Sequence, residues 1–95
     1  MRCDLEGFHN DATNKLMDTI AKLKTREECY DFFEDVCTIK EILDMSKRLE
    51  AAKLLDKGLN YKDIIAEIGI STATLSRVSK ALHYGTGGYK KAIKK

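Results

Sequence analysis

The sequence predicts an all-α protein that ends in a helix-turn-helix followed by a short basic segment. None of the 95 residues is proline. Apolar residues recur at the three- and four-residue spacing that places side chains on one face of a helix. Asparagine, threonine or serine stands before most of these segments and glycine follows several of them, as at the two ends of a helix. The length is that of one domain, so we expect a single helical domain over residues 1–95.

Two helices are predicted in the N-terminal part of the chain. Asn10 is placed to cap the first, which runs to about Leu23. Thr25 opens the second, with Glu28 three residues later in the spacing of a capping box, and this helix ends near residues 35–37. The apolar side chains of the second helix are predicted to form an aromatic core: Cys29, Tyr30, Phe32, Phe33 and Val36.

A long third helix is predicted to begin at Thr38, which forms another capping box with Glu41. It runs to about Asp56, and Gly58 ends it. Its apolar residues cover more than one stripe: Ile39, Ile42, Leu43, Met45, Leu49, Ala51, Ala52, Leu54 and Leu55. A helix that is apolar around so much of its circumference has to be covered on two sides. In so short a chain a second copy is a natural cover, so we expect residues 10–58 to supply the dimerisation helices.

Residues 60–83 carry the pattern of a helix-turn-helix. Asn60 can cap the first short helix, with Asp63 three residues on, and Gly69 can end it in the left-handed conformation. Ser71 can cap the second helix after a turn that spans only residues 69–71. Two helices that cross at a steep angle would bury one apolar set: Ile64, Ile65, Ile68, Ile70, Leu75 and Val78.

The exposed positions of the second short helix are small, hydroxyl-bearing or basic. They are Ser71, Thr72, Ala73, Thr74, Ser76, Arg77 and Lys80. A helix with such a surface can enter the major groove of DNA, which is about 12 Å wide, without steric conflict. A solvated structural helix more often carries Glu–Lys pairs four residues apart, and none occurs between residues 71 and 82. A helix hairpin without a partner is the structural alternative.

The charges are distributed unevenly along the chain, although the net charge is only +2. No acidic residue follows Glu67, so residues 68–95 carry a formal +6 and residues 1–67 carry −4. A positive field therefore surrounds the second short helix, where a polyanion would dock. Residues 85–95 open with the flexible sequence GTGG and continue as a short basic helix or a disordered tail, with Ile93 as the only large aliphatic residue.

Several other kinds of protein are not favoured. The three cysteines, Cys3, Cys29 and Cys37, form no CxxC pair, so neither a disulfide framework nor a metal site or other cofactor is expected. The few histidines and cysteines form no triad-like arrangement, so we do not expect an enzyme. No apolar run approaches the ~20 residues of a membrane span and no signal-peptide segment is seen, so we expect a cytoplasmic location without a membrane partner.

Residues 47–82 resemble the tryptophan-repressor superfamily, in particular its YerC/YecD-type branch. The resemblance is carried by RLEAAKLLDKG, which begins at Arg48, and by IGISTATLSRVSKAL, which begins at Ile68. Residues 47–82 are little more than a third of the chain, whereas the predicted order and length of the helices agree over nearly all of it. The resemblance implies an intertwined helical homodimer with interlocked N-terminal helices and two reading heads about one DNA turn apart.

The resemblance also implies which residues contact DNA. The family's base-reading positions fall on Thr72, Ala73 and Ser76, and its groove-edge and phosphate positions fall on Lys62, Ser71, Thr74 and Lys80. Arg77 stands where the reading helix of tryptophan repressors joins their effector pocket.

The predicted effector pocket differs from that of a tryptophan repressor, where the indole lies between two arginines near a glycine and a serine. Arg77 keeps one arginine, but Lys47 stands in the place of the other and does not stack as a planar guanidinium does. Val78 replaces the glycine and Ala81 replaces the serine. We therefore expect a regulator that does not respond to tryptophan, and the sequence specifies no other small-molecule effector.

Taken together, these residues predict a sequence-specific transcriptional regulator that binds double-stranded DNA as a homodimer. Lys62 and Lys80 would neutralise phosphates, while Thr72, Ala73 and Ser76 would contact bases. The alternative from a different class is a protein-interaction module whose helix-turn-helix contacts another regulator or a polymerase. Its binding would survive high salt and would not depend on DNA.

Overall fold

The computed structural model describes residues 8–94, which form six α-helices and no β-strand. The helices are α1 Asp11–Ala21, α2 Arg26–Val36, α3 Ile39–Asp56, α4 Tyr61–Ile68, α5 Thr72–Tyr84 and α6 Gly88–Lys94. The all-α prediction is confirmed. Predictions that involve residues 1–7, including Cys3, or Lys95 lie outside the described residues. Within the described range, every helix is too short or too polar to span a lipid bilayer.

The chain forms two compact units, Met1–Ile39 and Lys40–Lys95. The two units differ in their buried side chains. Neither α1 nor α2 contains a buried residue, whereas the residues of the core cluster lie between Ala51 and Val78, inside the second unit. The boundary therefore divides the predicted dimerisation segment 10–58 near the start of α3.

Side-chain caps start both helices of the first unit, as predicted. Asn10 and Thr13 form a reciprocal capping box, in which the Thr13 N–H donates to Asn10 Oδ1 at 2.9 Å and the Asn10 N–H donates to Thr13 Oγ1 at 2.8 Å. Thr25 Oγ1 accepts from the Glu28 N–H at 3.0 Å. The Glu28 carboxylate reaches one residue past its predicted partner, since its Oε1 accepts from the Lys24 N–H at 2.9 Å.

The predicted aromatic core on α2 is wrong for the single chain. Tyr30 and Val36 are more than half exposed, and Cys29, Phe32 and Phe33 are only partly buried. The rings of Phe32 and Phe33 pack edge to face with their centroids 5.4 Å apart, but no residue of α2 is buried. Helical spacing identifies an apolar face, but it does not show what covers that face.

A Schellman motif ends α3 at Gly58, where the sequence predicts the end. Gly58 adopts a φ of +94°, the Leu59 N–H donates to the Leu54 carbonyl at 3.1 Å, and the Gly58 N–H donates to the Leu55 carbonyl at 3.0 Å. Leu59 also packs against the core cluster. The turn from α3 to α4 is thus held both by backbone hydrogen bonds and by an apolar contact.

Two short helices, α4 and α5, stand where the sequence predicts a helix-turn-helix. Asn60 Oδ1 accepts from the Asp63 N–H at 2.9 Å at the start of α4. Gly69 ends α4 with φ +77° and ψ 39°, a left-handed conformation that residues with a Cβ atom adopt only with strain. The core cluster joins α4, α5 and the C-terminal half of α3: Ala51, Ala52, Leu54, Ile64, Ile70, Leu75 and Val78.

The C-terminal segment contains a helix, α6, so residues 88–94 take the first of the two conformations left open by the sequence. Gly87 precedes it with a φ of +92°. Tyr89 and Ile93, one helical turn apart, both pack against the core cluster. Ile93 is therefore not the only anchor. The sequence prediction considered only aliphatic residues as anchors, and the aromatic Tyr89 supplies the second contact.

Candidate nucleic-acid interface

The orientation of α5 is set by the turn before it and by its own cap. Ser71 Oγ accepts from the Thr74 N–H at 3.1 Å, and the Ser71 hydroxyl donates to Thr74 Oγ1 at 2.9 Å. On the other side of the turn, the Gly69 N–H donates to the Ile65 carbonyl at 2.9 Å. A serine N-cap typically stabilises its helix by ~1 kcal/mol. These bonds end α4 at Gly69 and start α5 at Ser71, so the turn between the two helices is short.

One side of α5 is buried and the other faces solvent. Leu75, Val78 and Leu82 are its buried residues, at intervals of three and four. Thr74 is partly buried. The other predicted DNA-contact positions are all exposed: Lys62 on α4, Ser71 at the cap, and Thr72, Ala73, Ser76, Arg77 and Lys80 on α5. The structure thus places these side chains on an accessible surface, and their contact with DNA stays a prediction.

The hydroxyl groups at the start of α5 fall into two kinds. Those of Ser71 and Thr74 bond to each other in the cap. Thr72 and Ser76 are exposed, and within residues 8–94 their hydroxyls have no hydrogen-bond partner. An uncommitted hydroxyl can donate to or accept from a base edge without losing an existing bond. Thr72 and Ser76 are therefore the better placed for base contacts, whereas Ser71 and Thr74 hold the helix.

A basic cleft continues from the turn before α5 onto α3. It has a volume of about 220 Å³ and is lined by Lys40, Asp44, Lys47, Arg48, Gly69, Ile70, Ser71 and Thr74. Asp44 pairs with Lys40 at 3.1 Å, so its charge is balanced within the cleft. None of the DNA-contact residues predicted from the sequence lies on α3. The available signal was the position of Lys47 and Arg48 three or four residues before the core alanines Ala51 and Ala52, on the same side of the helix.

A second cleft brings two arginines together. It has a volume of about 260 Å³ and is lined by Arg48, Thr74, Arg77, Val78 and Tyr89. Two residues of the predicted effector pocket, Arg77 and Val78, line this cleft, and Arg48 supplies a second arginine. Lys47 and Ala81 do not line it. Successive residues of a helix point ~100° apart. Lys47 and Arg48 therefore point to different sides of α3, and the predicted effector pocket stays a prediction.

The amino-acid sequence matches one known protein family over nearly its whole length. The profile of the Trp repressor protein family covers residues 11–95. The chain belongs to the Trp repressor family. The uncharacterized protein YerC of Bacillus subtilis (strain 168) is 48% identical over 80 residues, which are 84% of this chain and 77% of YerC. The predicted placement in the YerC-type branch of the Trp repressor family is confirmed.

Solved structures of family members have the same fold. A candidate Trp repressor from Staphylococcus aureus superposes with a TM-score of 0.91 at 41% identity, over 99% of this chain and 92% of that one. A TrpR-like protein from Eubacterium eligens ATCC 27750 superposes with a TM-score of 0.89 at 46% identity, over 94% of this chain and 92% of that one. The Trp repressor fold is a fold of DNA-binding regulators and not one of an enzyme family.

Proposed function

We propose that this protein is a sequence-specific transcriptional regulator that binds double-stranded DNA as a homodimer in the cytoplasm. The observation that carries the proposal is the surface of α5. Its exposed side bears small, hydroxyl-bearing and basic residues without an acidic one, and its buried side is locked to α3 and α4 by the core cluster. We therefore assign α4 and α5 as a DNA-binding helix-turn-helix with α5 as its reading helix.

Phosphate contacts would supply most of the affinity. Lys62 and Lys80 are exposed on α4 and α5, and Lys47 and Arg48 extend the basic surface across the adjoining cleft. If two subunits contribute about 6–8 phosphate contacts, the logarithm of the affinity should fall with the logarithm of the salt concentration at a slope of about −5 to −7.

Base contacts would come from the exposed start of α5. Thr72 and Ser76 offer hydroxyl groups and Ala73 offers a methyl group for packing on thymine. The helix contains neither asparagine nor glutamine, the side chains that read adenine with two hydrogen bonds. Part of the specificity would therefore pass through ordered water or through the shape of the DNA.

A second copy of the chain would cover the apolar side chains that the single chain leaves exposed. Ile39 is 74% exposed and Leu43 is 55% exposed on α3. Six more large apolar residues of α1, α2 and α3 are at least one-third exposed: Leu16, Met17, Tyr30, Val36, Met45 and Leu49. Complete burial of one such aliphatic side chain stabilises by ~1.5–3 kcal/mol. Since the single chain leaves these side chains exposed, a second copy would remove their apolar surface from water, and a symmetric dimer would present two copies of α5 to DNA.

The test begins with selection of bound duplexes from random DNA by the purified full-length protein. Affinities for the selected and a scrambled duplex are then measured by fluorescence anisotropy. The double variant Thr72→Ala/Ser76→Ala is expected to reduce the ratio of the affinity for the selected duplex to the affinity for the scrambled one. Lys80→Ala is expected to weaken both alike and to reduce the salt slope by about 2 in a dimer, one for each lost phosphate contact.

Lys15→Ala is the matched control, because Lys15 is an exposed lysine on α1 that the proposal places outside the interface. It should leave both affinities unchanged. The docking of α5 is wrong if Lys80→Ala also leaves both unchanged. If the wild-type protein binds no duplex but retains a protein partner at high salt, the helix-turn-helix is an interaction module instead.

We also propose that tryptophan is not the effector. Arg48 and Arg77 both line the cleft, so a second arginine is present there, but Val78 still fills part of the wall of the cleft and is itself buried. Titration calorimetry with L-tryptophan is expected to show no binding, and DNA affinity is expected to be the same with and without it. Binding of tryptophan in the micromolar range, or a tryptophan-dependent gain in DNA affinity, would contradict this proposal.

A further inference from the structure

The C-terminal helix α6 brings an aromatic side chain to the wall of the cleft that contains the two arginines. Tyr89 is partly buried, packs against the core cluster and lines the cleft together with Arg48 and Arg77. Helices α5 and α6 are in contact. Tyr89 therefore lies at a cleft whose wall is built by three elements: α6, which carries Tyr89, α3 with Arg48, and the reading helix α5 with Arg77.

We infer that Tyr89 is a positioning residue for DNA binding, which holds α5 in its DNA-facing orientation without an added aromatic ligand. The inference rests on the proposed function. Val78 of α5 lines the same cleft and is buried, while the adjacent Arg77 lines it from the exposed side. A ring that restrains this wall restrains the part of α5 that follows Thr72 and Ser76. Because guanidinium groups pack favourably on aromatic faces, the phenol ring also suits the two arginines of the cleft.

A substitution at Ile93 is the control that distinguishes this role of Tyr89 from a general contribution of α6 to the stability of the fold. It lies one turn after Tyr89 on the same helix and packs against the same core cluster, but it does not line the cleft. Removal of either side chain weakens the packing of α6. Removal of Tyr89 is expected, in addition, to remove part of the wall of the cleft that Arg48 and Arg77 line.

The experiment compares full-length wild type, Tyr89→Phe, Tyr89→Ala and Ile93→Ala for affinity to the selected duplex, with and without added phenol. Tyr89→Phe keeps the ring and is expected to bind as wild type does. If Tyr89→Ala leaves only about one molecule in ten with α5 correctly oriented, its dissociation constant rises about tenfold. Phenol is expected to occupy the vacated space and restore most of the affinity, because a cavity left by a removed side chain can bind a small aromatic molecule.

Two results would overturn the inference while wild-type DNA binding, and with it the proposed function, stands. The first is an affinity of Tyr89→Ala equal to that of wild type. The second is an equal loss in Ile93→Ala together with no response of Tyr89→Ala to phenol, which would show a role in stability alone. If Tyr89→Ala does not fold by circular dichroism, Tyr89→Leu replaces it, since leucine keeps much of the apolar volume. A folded Tyr89→Leu variant with weakened binding supports the inference, and one with wild-type affinity overturns it.

Discussion

Replacement of Leu43 by aspartate is expected to convert the proposed dimer into monomers that no longer bind the selected DNA. Leu43 is more than half exposed in the single chain, so the chain itself should lose no more than ~0.5 kcal/mol of stability. In a dimer that buries this side chain, the same change places an unpaired carboxylate at the interface in each subunit. Such burial is unfavourable by several kcal/mol per charge. Light scattering coupled to size-exclusion chromatography reports the mass, and fluorescence anisotropy reports the DNA affinity.

The matched control for Leu43→Asp is Lys53→Glu, which changes the charge of an exposed position on the same helix. We expect Lys53→Glu to remain dimeric. A Leu43→Asp protein that stays dimeric and keeps wild-type DNA affinity would show that this apolar face of α3 is not the interface. A wild-type protein that is monomeric at all concentrations would exclude the dimer altogether.

Leu75→Ala is expected to be the most destabilising single truncation in α5. Leu75 is fully buried at 0% exposure in the cluster that joins α3, α4 and α5. Removal of a buried leucine side chain leaves a cavity and destabilises by about 2–5 kcal/mol. Because this core holds the reading helix in place, DNA binding should fall together with the free energy of unfolding. Urea unfolding at a fixed protein concentration measures the change, since the stability of a dimer depends on concentration.

Tyr84→Ala is the comparison for Leu75→Ala, because it removes a larger side chain from the same helix at a position that is 85% exposed. Its free energy of unfolding should stay within ~0.5 kcal/mol of wild type. Equal urea midpoints for wild type and Leu75→Ala would show that the core around α5 does not hold it in place.

The ends of the helices were predictable because they depend on neighbouring residues. Each cap recorded at Asn10, Thr25, Asn60 and Ser71 joins a side chain to a backbone N–H three residues later. Gly58 and Gly69 adopt the positive φ values that end α3 and α4. Because these interactions join residues only a few positions apart, the sequence alone is enough to place them.

The buried and exposed sides of α5 were also predictable, whereas the clefts beside it were not. Leu75 and Val78 recur at helical spacing, and that spacing is enough to assign the side that packs inward. Arg48 and Arg77 line one cleft because of the rotation of α3 relative to α5. The spacing of residues within one helix gives no information about that rotation. The position of Tyr89 in the wall of the cleft depends on the path of the chain through Gly85 and Gly87. Small differences in backbone angles at these glycines would redirect all of α6.

The amino-acid sequence by itself determined that this protein is helical, where α4 and α5 begin and end, and which side of α5 carries small and basic residues. Those properties follow from capping, glycine conformation and periodicity, all of which act over a few residues. Only the tertiary structure decided that Arg48 rather than Lys47 lines the cleft with Arg77, and that Tyr89 lines it too. It also decided that no residue of α2 is buried within the single chain. These outcomes depend on how distant segments rotate and pack against one another, and that packing is settled by the free energy of the whole fold.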